Sequence, residues 1–192
     1  METAYNLNID VTGVEYNDFA LHYVRQTYKY NVVHYSEYEK LLTNGKLFDA
    51  IFILDVIEHL VDPARVISNC YQLLAPEGLL VLVTMDMGGL VPRILGTKFE
   101  DLRRVDHLYF FSRKSLKKFL KQNNFNVIKT GSFGHNISKG AFLQKLKLNL
   151  PFGGNFISYL CNILLAGRKD IYINPLTKML VIATKMSIRP QE

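Results

Sequence analysis

The chain has 192 residues, 48% of them hydrophobic and 21% charged, which suits one globular domain with a sizeable core and excludes the disordered classes. Its 23 basic and 17 acidic residues leave a net charge of +6, a balance that allows an anionic substrate or a membrane surface and requires neither. Met1-Glu2-Thr3 opens no basic-then-apolar leader and no apolar run approaches the roughly 18 residues of a spanning helix, so a cytoplasmic protein is expected.

Ile9 to Glu15 reads as a strand that ends on an acid. Asn17 or Asp18 then caps a helix whose Phe19, Ala20, Tyr23, Val24 and Tyr28 share one face. Tyr30 to Tyr35 is a second short strand, and a polar segment beginning at Ser36 and Glu37 leads through Asn44-Gly45 to a third. In this third strand, Phe48 to Leu54, the run Ile51 to Leu54 is continuous rather than alternating and stops at Asp55. That is the pattern of a parallel strand covered on both faces. Its carboxyl end carries Asp55, Glu58 and His59 ahead of the helix-start pair Asp62-Pro63, which is where open α/β sheets bind ligands. A buried strand with a polar exit loop is the plainer alternative.

Val66, Ile67, Cys70, Leu73 and Leu74 make the stripe of the next helix, closed by Pro76-Glu77-Gly78, and Leu79 to Thr84 is a second continuous buried run. Met85 to Leu108, with Gly88-Gly89, Pro92 and Gly96, is irregular and is expected to cover the crevice. Ser112 caps a helix with Leu116, Phe119 and Leu120 inward and Arg113, Lys114, Lys117, Lys118 and Lys121 outward. Phe125 to Thr130 is a strand. Met179 to Thr184 is the last one, expected to insert antiparallel at the sheet edge.

Ala141 to Ala166 holds helical material broken at Pro151 to Gly154. Its apolar residues between Phe142 and Leu165, flanked by Lys139, Lys145, Lys147 and Arg168, form either a core-packed substrate cover or an interfacial segment resting on anionic lipid. Cys70 and Cys161 lack metal or redox spacing and read as small core residues in a reducing compartment. Residues 1–186 read as one α/β domain and 187–192 as a polar tail.

The order and spacing of several stretches carry a resemblance. They are Val14-Glu15-Tyr16-Asn17, Phe48 to Ile51, Leu54-Asp55-Val56-Ile57-Glu58-His59-Leu60 with Asp62-Pro63, Leu73 to Leu80, and His107 to Ser112 with Leu116 and Phe125. Together they are similar to class I S-adenosylmethionine-dependent methyltransferases, especially the ubiquinone-biosynthesis O-methyltransferase group. The resemblance implies a Rossmann-like fold with a mostly parallel sheet and an antiparallel terminal strand. One departure stands out. The family begins with a strand and a glycine-rich loop, and here only Met1 to Asn8 precede what resembles its second strand. Glycine is needed in that loop because a side chain would hold the backbone away from the cofactor. In the family the missing strand lies between the second strand and the one at Ile51 to Leu54. The expectation is an N-terminally incomplete domain with open sheet edges, as a truncated reading frame, a split partner or a decayed enzyme would give. Self-association or a complementing chain at the exposed edge follows from it.

By resemblance, Glu15 takes the two ribose hydroxyls of S-adenosylmethionine, since a carboxylate accepts two hydrogen bonds at once. An acid favouring the helix start is the alternative. Tyr16 and Asn17 flank ribose and adenine. Ser36 and Glu37 match the region that meets the adenine amine. Leu54, Asp55 and Val56 match the turn beneath the cofactor's methionine part, and His59, beside Glu58, reads as support for that turn. His107, after the irregular lid, is the candidate base, or else a hydrogen-bonded tie between lid and helix. His22, His34 and His135 form no metal pattern, so no metal is expected, and the basic helix lacks the exposed aromatics of a nucleic-acid binder. The implied function is methyl transfer to a small hydroxylated, sugar-like or lipid-linked acceptor, with peripheral membrane contact. The alternative is a non-catalytic module that binds a protein partner. A nicotinamide-dependent oxidoreductase fits least, because its phosphate-binding glycines are absent as well.

Overall fold

A computed structural model describes residues 2–28, 30–149 and 153–186 of the protein. In chain order the elements are α1 (Glu2–Asn6), β1 (Thr12–Glu15), α2 (Asp18–Tyr28), β2 (Asn31–His34), a 3-10 stretch (Tyr35–Thr43), β3 (Phe48–Leu54), α3 (Pro63–Leu73) and β4 (Leu74–Met85). There follow α4 (Leu90–Leu95), α5 (Arg113–Gln122), β5 (Phe125–Ser132), β6 (His135–Ser138), α6 (Lys139–Asn149), α7 (Gly154–Leu164), β7 (Asp170–Ile173) and β8 (Lys178–Lys185). The polar tail at 187–192 lies outside the described residues.

The main sheet has the order β3-β4-β8-β5. β3 and β4 are parallel, and β8 runs antiparallel to both β4 and β5. The terminal strand is therefore interior rather than at the edge. With ladders on both sides its backbone groups are paired, and its alternate residues Met179, Val181 and Ala183 are buried.

One face of this sheet is closed. Ile53, Leu80, Leu82 and Val181 pack with Ile67 and Cys70 of α3 and with Leu116 and Leu120 of α5. Both helices start on strong signals: the Asp62 side chain accepts from Arg65 N ahead of Pro63, and Ser112 forms a capping box with Ser115. Burial in this layer pushes the Cys70 thiol up to about 12. The other face is different. Phe52 and Leu54 are exposed, and Val81, Leu180 and Ile182 beside them are half-buried. Toward the carboxyl ends of the strands Val83 and Met85 are buried.

β1 and β2 pair in parallel as a separate ribbon, Thr12 opposite Asn31 through Glu15 opposite His34. Among the described residues no strand joins this ribbon to β3. Side chains make the attachment. Arg65 of α3 donates twice to the Glu39 carboxylate, at 2.8 and 2.7 Å, and Asn69 donates to the Tyr38 hydroxyl at 2.7 Å. Lys46, just before β3, donates to Asp10, just before β1, at 2.7 Å. The apolar face of α2 is only partly covered: Ala20 and Val24 are half-buried, Phe19, Tyr23 and Tyr28 are exposed, while Leu21 is buried and Arg25 donates to Val32 O. A helix lying on a two-stranded ribbon has too little sheet to cover a full apolar face. A further antiparallel ribbon, β6 with β7, brackets α6 and α7 and left no clear signal in the sequence.

Candidate cofactor-binding crevice

The carboxyl ends of β1 and β2 meet at one edge, because Glu15 and His34 are register partners. Glu15 Oε1 accepts from the backbone N–H of Tyr16 and of Asn17, both at 2.8 Å, so the carboxylate folds over its own turn and Asn17 then caps α2 by accepting from Ala20 N at 2.9 Å. His34 ties the two loops together. Its Nε2–H donates to Tyr16 O at 3.0 Å, and its Nδ1 accepts from Ser36 N at 3.2 Å. A carbonyl only accepts, which sets the tautomer. The Tyr16 ring stacks on His34 and meets Tyr35 edge-on, leaving an aromatic shelf beside Glu15. Glu37 pairs outward with Lys40 at 2.6 Å, and that ammonium holds its carboxyl below the usual range.

At the end of β3 the chain turns sharply. Asp55 has φ +53, a left-handed conformation that a side chain disfavours and that clusters at functional turns. Its N–H continues the ladder to Val83 O at 2.8 Å, and its carboxylate is paired with Lys178 at the start of β8. Leu54 and Val56, on either side, are exposed.

The turn that follows is stitched to the loop after the irregular segment. Glu58 O accepts from Leu108 N at 2.8 Å and from Tyr109 N at 3.1 Å, and His59 Nδ1–H donates to Asp106 O at 2.8 Å. The Arg104 guanidinium holds the Asp106 carboxyl well below the ordinary carboxylate range. The His59 and His107 rings meet edge-to-face, 4.8 Å between centroids. His107 is 8% exposed and Glu58 2%. Ligand atoms of Glu58, His59 and His107 lie within 4.8 Å of one another, and Glu58 Oε2 finds no hydrogen-bond partner among the described residues. An orphaned buried carboxylate oxygen costs roughly 1–3 kcal/mol unless a ligand, water or proton meets it. This donor set is chemically able to hold a divalent cation, and it is formed by residues other than those whose spacing gave the expectation of no metal.

Parallel strands with acids at their carboxyl ends point to a nucleotide-type ligand without naming a family. The family described as "Methyltransferase domain" matches residues 3–130, about two thirds of the chain. The chain belongs to the methyltransferase domain family. It is similar to the ubiquinone biosynthesis O-methyltransferase of Colwellia psychrerythraea, 31% identical over 90 residues that make up 44% of this chain and 37% of that protein. The mitochondrial ubiquinone biosynthesis O-methyltransferase of Arabidopsis thaliana is 28% identical over 127 residues, 63% of this chain and 38% of that protein. The chain thus spans less than two fifths of the length of these curated relatives. A SAM-dependent methyltransferase from Archaeoglobus fulgidus superposes with a TM-score of 0.61 at 18% identity, covering 96% of this chain and 80% of its own. The magnesium protoporphyrin IX methyltransferase of Synechocystis, solved with bound SAH, gives 0.50 at 14% identity, over 92% of this chain and 64% of its own. At such identities the likeness is one of fold, and the fold of this methyltransferase domain is Rossmann-like.

The sequence-predicted residues fall into two groups. Glu15, Tyr16, Asn17 and Ser36 lie together around His34, and Leu54, Asp55, Val56, His59 and His107 lie along the β3 turn and the loop that closes on it. Glu37, next to Ser36, is paired with Lys40. Sequence reasoning missed His34 and Lys178. His34 had a readable signal, since it ends a strand paired with the one that ends in Glu15. Lys178 had none, because its meeting with Asp55 depends on where the last strand inserts.

Proposed function

We propose that this methyltransferase domain takes part in S-adenosylmethionine-dependent methyl transfer to a small hydroxylated, sugar-like or lipid-linked acceptor, and that it holds the cofactor once a further strand joins β1 to β3. The observation that carries this reading is the presence of two half-sites at strand carboxyl ends: Glu15 with its aromatic shelf, and Asp55 with its left-handed turn. Both fit the cofactor in part. Glu15 Oε1 serves its own turn, and Oε2 is left to accept from ribose hydroxyls. A glycine cradle is absent among the described residues at β1, so the amino-acid end of the ligand has no close backbone floor there. When bound, S-adenosylmethionine supplies a methyl group on a cationic sulfur. The chain's own share is positioning: Tyr16 and His34 offer a flat face to an aromatic ring, and the Asp55 carboxylate, with Lys178 beside it, offers paired charges to a zwitterion. The His107 imidazole takes the proton of an acceptor hydroxyl when one must leave. Glu58 and His59 hold the loop that carries it.

Equilibrium dialysis with labelled cofactor tests this. The chain alone is expected to bind weakly or not at all, and fusing the first strand, glycine turn and helix of a relative ahead of β1, or adding them as a separate chain, is expected to restore binding. Low-micromolar binding by the chain alone would overturn the need for a joining strand. A second reading has its own support in the edge of β3, which no strand pairs among the described residues, and in its exposed Phe52 and Leu54, which suit a module that binds a protein strand without methyl transfer. Restored cofactor binding without turnover on any acceptor would favour that module.

A further inference from the structure

α7 carries no charged residue, and its polar Asn155, Ser158 and Asn162 lie along the cleft toward α6. Its inner side, with Gly154 and Ser158 buried and Cys161 and Leu165 half-buried, faces α6, where Ser158 Oγ donates to Leu143 O. The outer side is a stripe of Phe156, Tyr159, Leu160, Ile163 and Leu164 at helical spacing, all exposed, Phe156 at 66% and Leu164 at 81%. The core-packed cover that the sequence allowed for this segment is thus not formed by these side chains. A soluble surface seldom carries such a contiguous stripe without a partner. At 11 residues the helix is far too short to cross a bilayer.

Charge names the partner. Between Lys139 and Lys169, the hairpin and its flanks, the sequence holds five lysines and arginines and not one of its 17 acids, so this stretch carries +5 of the chain's net +6. Lys147, Arg168 and Lys169 stand exposed at the two ends of the hairpin. Beside the stripe, Lys147, Asn155, Ser158, Tyr159 and Asn162 line a cleft of about 420 Å³ between α6 and α7. We propose that the α6–α7 hairpin docks the protein on an anionic lipid surface, with the α7 stripe in the acyl boundary and the flanking cations among the headgroup phosphates. An acidic protein would complement the charge, but it would have to present a matching apolar groove, whereas a bilayer accepts the stripe as it stands.

Co-sedimentation with vesicles of phosphatidylcholine alone, and of phosphatidylcholine mixed with phosphatidylglycerol, reads this directly. The protein is expected to pellet with the anionic vesicles at low salt, to be released by high salt and to stay in the supernatant with the neutral ones. The double variant F156S/L164S removes two exposed side chains, leaves the buried side of α7 intact, and is expected to lower partitioning by at least about tenfold. K147E is expected to weaken binding to anionic vesicles too. No pelleting at low salt, equal pelleting with neutral vesicles, or unchanged pelleting of F156S/L164S would each overturn the proposal. So would a lipid-free dimer that F156S/L164S splits, since the stripe would then be an interface between copies. Neither cofactor nor acceptor enters the measurement, so its result is separate from that of the dialysis experiment.

Discussion

β3 and β4 are written in the same language and meet different fates. Ile51-Phe52-Ile53-Leu54 and Leu80-Val81-Leu82-Val83 are both continuous apolar runs, and they lie side by side in parallel register. In β4 the run is buried or nearly so, between β3 on one side and β8 on the other. In β3 only the face of Ile51 and Ile53 packs, against α3, while Phe52 is 63% exposed and Leu54 50%. Composition records what a strand is built to sit beside, and exposure records what the described residues put there. The mismatch at β3 marks an edge and a face that no other strand or helix covers among the described residues. Phe19 and Tyr23 on α2 are likewise apolar and exposed.

Truncations on the two strands should give the largest contrast. Leu82→Ala removes fully buried atoms and is expected to cost about 2–5 kcal/mol, whereas Phe52→Ala removes a side chain already in water and is expected to cost under about 1 kcal/mol. Urea unfolding of both variants checks this. If Phe52→Ala proves as costly as Leu82→Ala, the open face is covered in solution and the comparison fails.

The next effect concerns ligand rather than fold. Glu15→Ala is expected to weaken cofactor binding by at least about 1.4 kcal/mol, a tenfold change, because hydrogen bonds to a charged acceptor are worth roughly 1.5–3 kcal/mol. Calorimetry on the strand-complemented form measures it, with Glu15→Gln as a control that keeps an acceptor for Tyr16 N and Asn17 N. Should the alanine variant titrate like the parent, Glu15 serves only its own turn.

Helix caps sharpen the contrast further. Ser112 and Asn17 are both N-caps, one in the closed layer and one on the ribbon. Ser112→Ala is expected to lower global stability by about 1 kcal/mol. Asn17→Ala is expected to melt α2 locally and leave the main unfolding midpoint in place, which circular dichroism and urea titration together would separate. A matching shift in the main midpoint would mean that ribbon and sheet unfold as one.

Most of the closed layer was legible from local rules, and the open parts were not. The Asp62-Pro63 start, the Ile67-Cys70-Leu73 stripe, the Ser112 cap and the inward Leu116 and Leu120 are set by neighbours within a turn or two, so periodicity finds them. Partnership across the sheet is non-local. That is why the insertion of β8 between β4 and β5 escaped the sequence, and with it the approach of Lys178 to Asp55. Asp55, Glu58 and His59 stood out as the carboxyl end of a strand. Their connection to Asp106 and to His107 required the chain to travel some 50 residues and return, through a segment whose glycines and proline carry no period.

The smallest expected effect tests how the ribbon is held. The Arg65 guanidinium, followed by the Asn69 amide, holds the Glu39 carboxyl below its ordinary value, and Tyr38 and Asp62 are the other titratable groups acting on this pair. A carboxylate whose pKa is lower in the folded state contributes its attraction fully above the unfolded value of about 4.3 and loses it as pH falls through the lowered one. The tie is therefore constant from neutral pH down to about 5 and fails in stronger acid. Because both partners are exposed, its contribution is small and salt-sensitive. Amide hydrogen exchange should show β1 and β2 losing protection in acid before β4 and β8 do, and Glu39→Gln, which lacks the charge at every pH, should show lowered ribbon protection already at neutral pH while leaving β4 and β8 as they were. If the ribbon of Glu39→Gln keeps parental protection across the whole range, Asn69–Tyr38 and Lys46–Asp10 suffice to hold it, and the charge on Glu39 is dispensable.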